Sequence, residues 1–391
     1  MQELIALVVG LITGTISGII PGIHSNTIAQ FFDSVISDPA FLGIAIISAT
    51  SVYTVLSLLP SIFLCIPDSS TILSVLPGQR MLKEGKGLQA VNICAFSTIA
   101  ALLISLALIP LFTFIIPSFY SVVRPVMAPA LTIICAALIL QEKKINKITG
   151  ALLIFCLSGV FGLLLLSKPI LQEPLFTSFI GLFALSNLIT TAKNIELPKQ
   201  SPPNKSPVFE FLPIILAGVL LGSVADIFPA LGSSAQMATF GTILTGADSG
   251  KFLSLTTSVG ISHTFSSIIS LYTINKARTG SVAIIKESIG VPEFNTLILY
   301  FIVAVVSIAI SVVLLLFLSK YFIKLVNSVN HKILNTILCL YLIAAILLVD
   351  GLAGLFVGIV ATAIGILPII LGVRRTHVMG FLLVPALIYL W

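Results

Sequence analysis

The stretch Gly14-Thr15-Ile16-Ser17-Gly18-Ile19-Ile20-Pro21-Gly22-Ile23-His24-Ser25-Asn26 decides how this chain is read. It runs apolar with glycines four apart, at Gly10, Gly14 and Gly18, then breaks at proline into small polar residues. The pattern returns about 208 residues later as Gly222-Ser223-Val224-Ala225-Asp226-Ile227-Phe228-Pro229-Ala230-Leu231-Gly232-Ser233-Ser234. A proline followed by polar residues inside membrane-grade sequence is an interrupted helix. In lipid, such a break survives only where protein or a water-filled cavity covers the freed backbone groups. A matched pair of Gly/Pro-interrupted segments in two halves is the best sequence pointer to a transporter binding site.

The surrounding composition agrees. Of 391 residues, 58% are hydrophobic and 9% charged, against about 25% charged in a soluble domain. The chain therefore reads as an all-α polytopic membrane protein. Its net charge of +6 sits in short loops between spans, so it reports orientation rather than nucleic-acid binding. Five cysteines lie in apolar runs without pairing or metal spacing and read as small buried hydrophobes. The start, Met1-Gln2-Glu3, lacks the positive charge of a signal peptide.

Apolar runs of spanning length lie near 41–66, 93–118, 125–140, 148–167, 175–192, 252–274, 295–319, 333–349, 351–372 and 378–391. The broken segments near 4–22 and 208–229 bring the expectation to about ten to twelve membrane elements, some re-entrant. Lys193 to Pro207, with three lysines and four prolines, reads as an extended linker, and its lysines place it in the cytoplasm. Counting back, loops 142–147 and 78–88 fall inside, and loops 168–174 and 119–124 outside. In the second half, Lys320, Lys324 and Lys332 fall inside, Asp350 outside, and Arg374–Arg375 inside. The span 93–118 then starts inside, whereas its counterpart 295–319 starts outside. Residues 1–192 and 208–391 are thus expected to be two inverted-topology repeats joined by the cytoplasmic linker 193–207.

The chemistry is expected at the breaks. Gly22, His24, Ser25 and Asn26 offer freed backbone N–H groups and polar side chains at one tip, and Ala230, Gly232, Ser233 and Ser234 do so at the other. A half-helix starting at such a tip presents its positive dipole end to an anion. Two further polar stretches follow the breaks. One contains Asp68 and Ser69; the other contains Lys276 and Arg278, whose cations can neutralise an anionic substrate. Asp226 lies three residues before Pro229 in an apolar helix. A carboxylate at a helix centre costs about 3 kcal/mol on insertion scales, so Asp226 is expected to carry a proton or hold a sodium ion as the coupling group. His263 is a weaker candidate within 252–274. No metal spacing, nucleophile with its base, or phosphate loop is present, so neither an enzyme nor a cofactor beyond a coupling Na+ or H+ is expected.

These residues resemble the large permease subunit of the tripartite tricarboxylate transporters. The likeness rests on the Gly-rich run into Pro21-Gly22, on Ser61-Ile62-Phe63-Leu64-Cys65-Ile66-Pro67 with Asp68, on Leu76-Pro77-Gly78-Gln79-Arg80-Met81-Leu82-Lys83-Glu84-Gly85-Lys86-Gly87, and on Gly181-Leu182-Phe183-Ala184-Leu185-Ser186. His24 and Asn26 stand where that family tends to have small residues, and Pro229-Ala230 replaces its Pro-Gly. The resemblance implies a plasma-membrane secondary transporter of di- or tricarboxylates, assisted by a small membrane subunit and an extracytoplasmic binding protein; a homodimer is allowed. A second likeness, to polyprenyl-phosphate transporters, implies a lipid-carrier translocase instead. A transporter or channel for another small anion is the third reading.

Overall fold

The computed structural model describes residues 1–20, 25–64, 75–142, 144–167, 170–190, 198–201, 208–225, 245, 248–277, 279–328 and 331–391. All regular structure among them is helical. The first half holds α1 (Gln2–Ile19), α2 (Ser25–Val35), α3 (Pro39–Leu56), α4 (Leu58–Phe63), α5 (Val75–Lys83), α6 (Gly87–Val123), α7 (Met127–Leu140), α8 (Ile145–Leu166), α9 (Pro174–Phe179) and α10 (Ser186–Thr190). The second holds α11 (Leu212–Ser223), α12 (Ser249–Ile274), α13 (Gly280–Ser288), α14 (Phe294–Ser328), α15 (His331–Leu371) and α16 (Gly380–Leu390). Six of the described helical segments are long and apolar enough to cross a membrane: Gln2–Ile19, Pro39–Phe63, Gly87–Leu140, Ile145–Leu166, Phe294–Val326 and Asn335–Leu371.

Helix ends have local causes. Asp38 accepts from the Ala40 N–H at 3.2 Å with Pro39 in the first turn, so α3 starts there. Asp248 caps α12 by accepting from the Lys251 N–H at 2.8 Å. Asn275 ends α12 in the left-handed region, at φ 53°. Gly351, at φ 63° and ψ −153°, breaks α15 into the two spans expected on either side of it.

The chain divides into two compact units, 1–120 with 197–328 and 121–196 with 329–391. Each half of the sequence contributes to both, and the cuts after Tyr120 and Ser328 are themselves 208 positions apart.

In the first unit the core is α3 and α12, most of whose residues are buried. α12 carries Ser254, Thr256, Thr257, Ser258, Ser262, His263, Thr264, Ser266, Ser267 and Ser270. Protein rather than lipid surrounds it, so hydroxyls are tolerated along its length. α1 lies against α3 through its small residues: a Cβ at Gly10 would come within 2.6 Å of the Ala45 carbonyl, and one at Gly14 within 2.5 Å of the Ala49 carbonyl. α11 lies against α12 in the same way, with Gly218 facing Leu255 and Ser258, and Gly222 facing Val259 and Ser262. Such close backbone approach is what small residues at four-residue spacing permit. Hydroxyls tie both contacts: Ser48 donates to the Leu7 carbonyl (3.0 Å), and Ser262 donates to that of Val219 (2.7 Å). The core helices then bond across the two halves. Ser97 of α6 donates to Ser254 (2.8 Å), and Ser307 of α14 donates to Ser48 (3.0 Å).

The linker, expected to be extended, is docked where it is described. Gln200 accepts from the Gly87 N–H and donates to the Leu82 carbonyl, both at 2.9 Å, and the Ser201 N–H donates to the Gly85 carbonyl at 2.9 Å. Its polar side chains satisfy the open backbone of the α5–α6 turn.

In the second unit α8 packs on α16, and the later part of α15 packs on the π-helical turn Ile180–Leu185. A Cβ at Gly162 would strike the Phe381 carbonyl, and one at Gly365 would strike that of Leu182. Likewise Gly380 meets the Phe155 carbonyl and Gly181 that of Gly358. Two carboxylates hold the connections. Glu142 accepts from the Arg374 N–H at 3.0 Å, and Asp350 accepts from the Glu173 N–H at 2.9 Å. Loops assigned to one side by their charge thus meet each other: 142 with 374, 173 with 350, and in the first unit 85–87 with 200–201.

Candidate substrate site

The first break tip is described from Ser25 onward. Ser25 is buried and Asn26 half-buried at the start of α2. α2 packs on α3 and on α13. Its near end meets the start of α13, where a Cβ on Gly280 would stand 2.5 Å from Cγ and Nδ2 of Asn26. Its far end meets the end of α13, where Ser288 donates to Asp33. The two helices therefore run side by side in the same direction, with both N-termini at one place. Thr279 caps α13 by accepting from the Val282 N–H at 3.4 Å. Each helix start carries about half a positive charge, and two adjacent starts repel unless an anion sits before them. Asn26 adds an amide donor at that junction.

In the same unit, the two core helices approach each other at Thr54 and Gly260, where a Cβ on the glycine would be 3.4 Å from Cγ2 of the threonine. Ser51 and Ser61 on α3 and α4, and Ser267 and Ser270 on α12, are buried with no hydrogen-bond partner. Buried hydroxyls are normally satisfied, so the centre of this unit holds polar groups in excess of its internal bonds. His263 is buried in α12.

Of the residues expected from sequence, Ser25 and Asn26 stand at this junction. Lys276 is exposed between the end of α12 and Thr279. Gly22, His24, Asp68, Ser69, Asp226, Ala230, Gly232, Ser233, Ser234 and Arg278 lie outside the described residues. The sequence reading missed Thr279 and Gly280. Their signal was a capping threonine followed by glycine and serine, directly after the basic stretch.

The family model of the tripartite tricarboxylate transporter TctA family matches residues 4–380. The chain belongs to that family. An uncharacterized protein of Methanocaldococcus jannaschii is 25% identical over 409 residues, covering 100% of this chain and 99% of its own length. No solved structure matches. Membership of a tripartite tricarboxylate transporter family makes the chain the large, multi-pass membrane subunit of a tricarboxylate-type transporter and not an enzyme. That role fits a small membrane subunit and a binding protein as its partners.

Proposed function

We propose that the chain carries a di- or tricarboxylate across the plasma membrane, driven by a proton or sodium gradient. The anion binds at the shared N-terminal end of α2 and α13. The observation that carries this reading is the parallel pairing of these helices, with Asn26 laid over Gly280. Ala230, Gly232, Ser233 and Ser234 of the second tip, with Gly22, His24, Asp68, Ser69 and Arg278, are the further substrate-binding residues of this reading. Lys276, exposed nearby, supplies cationic attraction rather than direct contact. Asp226 is the coupling group.

The carrier is built from two inverted repeats, 1–192 and 208–391, around a cytoplasmic linker at 193–207. The doubled contacts support this: α1 on α3 and α11 on α12, Ser307 to Ser48 and Ser97 to Ser254, Gly162 to Phe381 and Gly365 to Leu182. The carboxylates Glu142 and Asp350 stand 208 positions apart, yet each meets a loop that the charge count puts on a different side.

Uptake of labelled citrate into proteoliposomes, with the small membrane subunit and binding protein present, tests the site. Asn26→Asp places a carboxylate where an anion has to bind. We expect KM to rise by at least about tenfold, the equivalent of about 1.4 kcal/mol. An unchanged KM would remove the site from this junction. Transport of a polyprenyl phosphate in place of citrate would replace the substrate.

A further inference from the structure

The two carboxylate clamps of the second unit are the same device built with different chemistry. Glu142 follows α7; it accepts from the Arg374 N–H at 3.0 Å and from the side chain of His377, three residues further on, at 3.2 Å. Asp350 stands at the break of α15; it accepts from the Glu173 N–H at 2.9 Å and from the side chain of Thr177, four residues further on, at 2.5 Å. Each clamp fastens the start of a short helix, α16 or α9, to a turn from the other half of the sequence. Only the first contains an imidazole.

The Glu142–His377 pair is buried: His377 is 1% exposed and Glu142 7%. Nε2 of His377 faces Glu142, whereas its Nδ1 has no partner. Glu142 therefore selects the neutral tautomer that donates from Nε2. A proton added at Nδ1 becomes a buried donor with nothing to bond, which is costly. A proton added to Glu142 removes the acceptor that Arg374 and His377 share. The remaining charge acting on both is Arg374, whose guanidinium donates to Gln141 at 2.5 Å. Arg375 is turned to Ser186 (3.2 Å), Ser158 of α8 donates to the His377 carbonyl (3.4 Å), and at the start of α8 Lys144 is exposed and Lys147 half-buried.

We propose that Glu142 and His377 form a proton-binding latch that fastens the start of α16 when deprotonated and releases it when protonated; Asp350 and Thr177 form its counterpart without an imidazole. Burial pushes the His377 imidazole below its ordinary range, outweighing the pull of Glu142. Burial alone would raise the Glu142 carboxyl, but the Arg374 N–H, the His377 bond and the charges of both hold it below the usual carboxylate range. Both groups hold the latch closed at higher pH and lose it as pH falls.

Hydrogen exchange of the full chain in detergent reads this directly and needs no transport, so its failure is separable from failure of the carrier reading. The quantity is the protection of amides 374–379 divided by that of 173–177, which cancels the intrinsic pH dependence of exchange. Between about pH 8 and about pH 5 we expect this ratio to fall by at least about tenfold. His377→Gln keeps an amide donor toward Glu142 and should flatten the profile. The single tryptophan, Trp391 at the end of α16, donates to Thr132 of α7 at 3.3 Å, and its emission should titrate over the same range in the unmutated protein. A ratio constant with pH, or a profile that survives in His377→Gln, overturns the proposal.

Discussion

Gly280→Ala is a small change whose consequence follows from what the new atom meets. A Cβ at Gly280 would lie 2.5 Å from Cγ and Nδ2 of Asn26, whereas ordinary contact begins at 3.4 Å. The amide must retreat by about 0.9 Å, enough to stretch an N–H···O bond of about 2.9 Å beyond useful length. The contact is with the Asn26 side chain and not with backbone, so a change of its rotamer relieves it without backbone movement. Alanine in place of glycine in a helix also restricts the unfolded chain, worth about 0.4–1 kcal/mol in the opposite sense. The expected result is a melting temperature close to that of the unmutated protein. Binding, in contrast, loses a hydrogen bond to a charged acceptor, about 1.5–3 kcal/mol, or roughly a 10- to 150-fold rise in KM. The assay is the concentration dependence of labelled citrate uptake in proteoliposomes, with thermal melting of the same preparation. A folded Gly280→Ala protein with unchanged KM would refute the assignment of this junction to the substrate.

Gly14→Ala makes the opposite contrast. Its Cβ would lie 2.5 Å from the Ala49 carbonyl, which cannot swing aside, so a loss of about 1–3 kcal/mol in stability is expected, read as a lower melting temperature. Asp350→Ala leaves the Glu173 N–H and the Thr177 hydroxyl without their acceptor; a cost of about 1–3 kcal/mol should appear as faster exchange at 173–177. Because the groups of the Glu142–His377 pair are both held below their ordinary ranges, melting should fall with acidification from neutral pH, and less steeply in His377→Gln. Asp226→Asn should uncouple citrate uptake from an imposed sodium or proton gradient, and unchanged coupling assigns that role elsewhere.

Much of this protein is legible along its sequence. The apolar spans and the Gly- and Pro-rich motifs of the family are local patterns, and the spans reflect the cost of placing backbone or charge in hydrocarbon. Loops that their charge placed on one side do meet in the second unit: 142 with 374, and 173 with 350. Other features left little trace. Glu142 is one acid among three nearby lysines, and nothing adjacent to it marks His377 as its partner. Gly280 reads as loop punctuation until Asn26 is found above it. A faint signal existed in the spacing, because Glu142 and Asp350 repeat at the interval of the break motifs.

The sequence by itself determined the solvent and the punctuation: a lipid-embedded helical chain whose Gly- and Pro-rich pattern is written twice. It did so because hydropathy, proline and glycine act within a turn or two of where they stand. Only the tertiary structure decided that α2 and α13 lie parallel with their positive ends together, that core hydroxyls bond across the halves, and that one clamp holds an imidazole where its counterpart holds a hydroxyl. Those pairings join residues some 150 to 260 positions apart, and no local pattern specifies which distant surface a helix face will find.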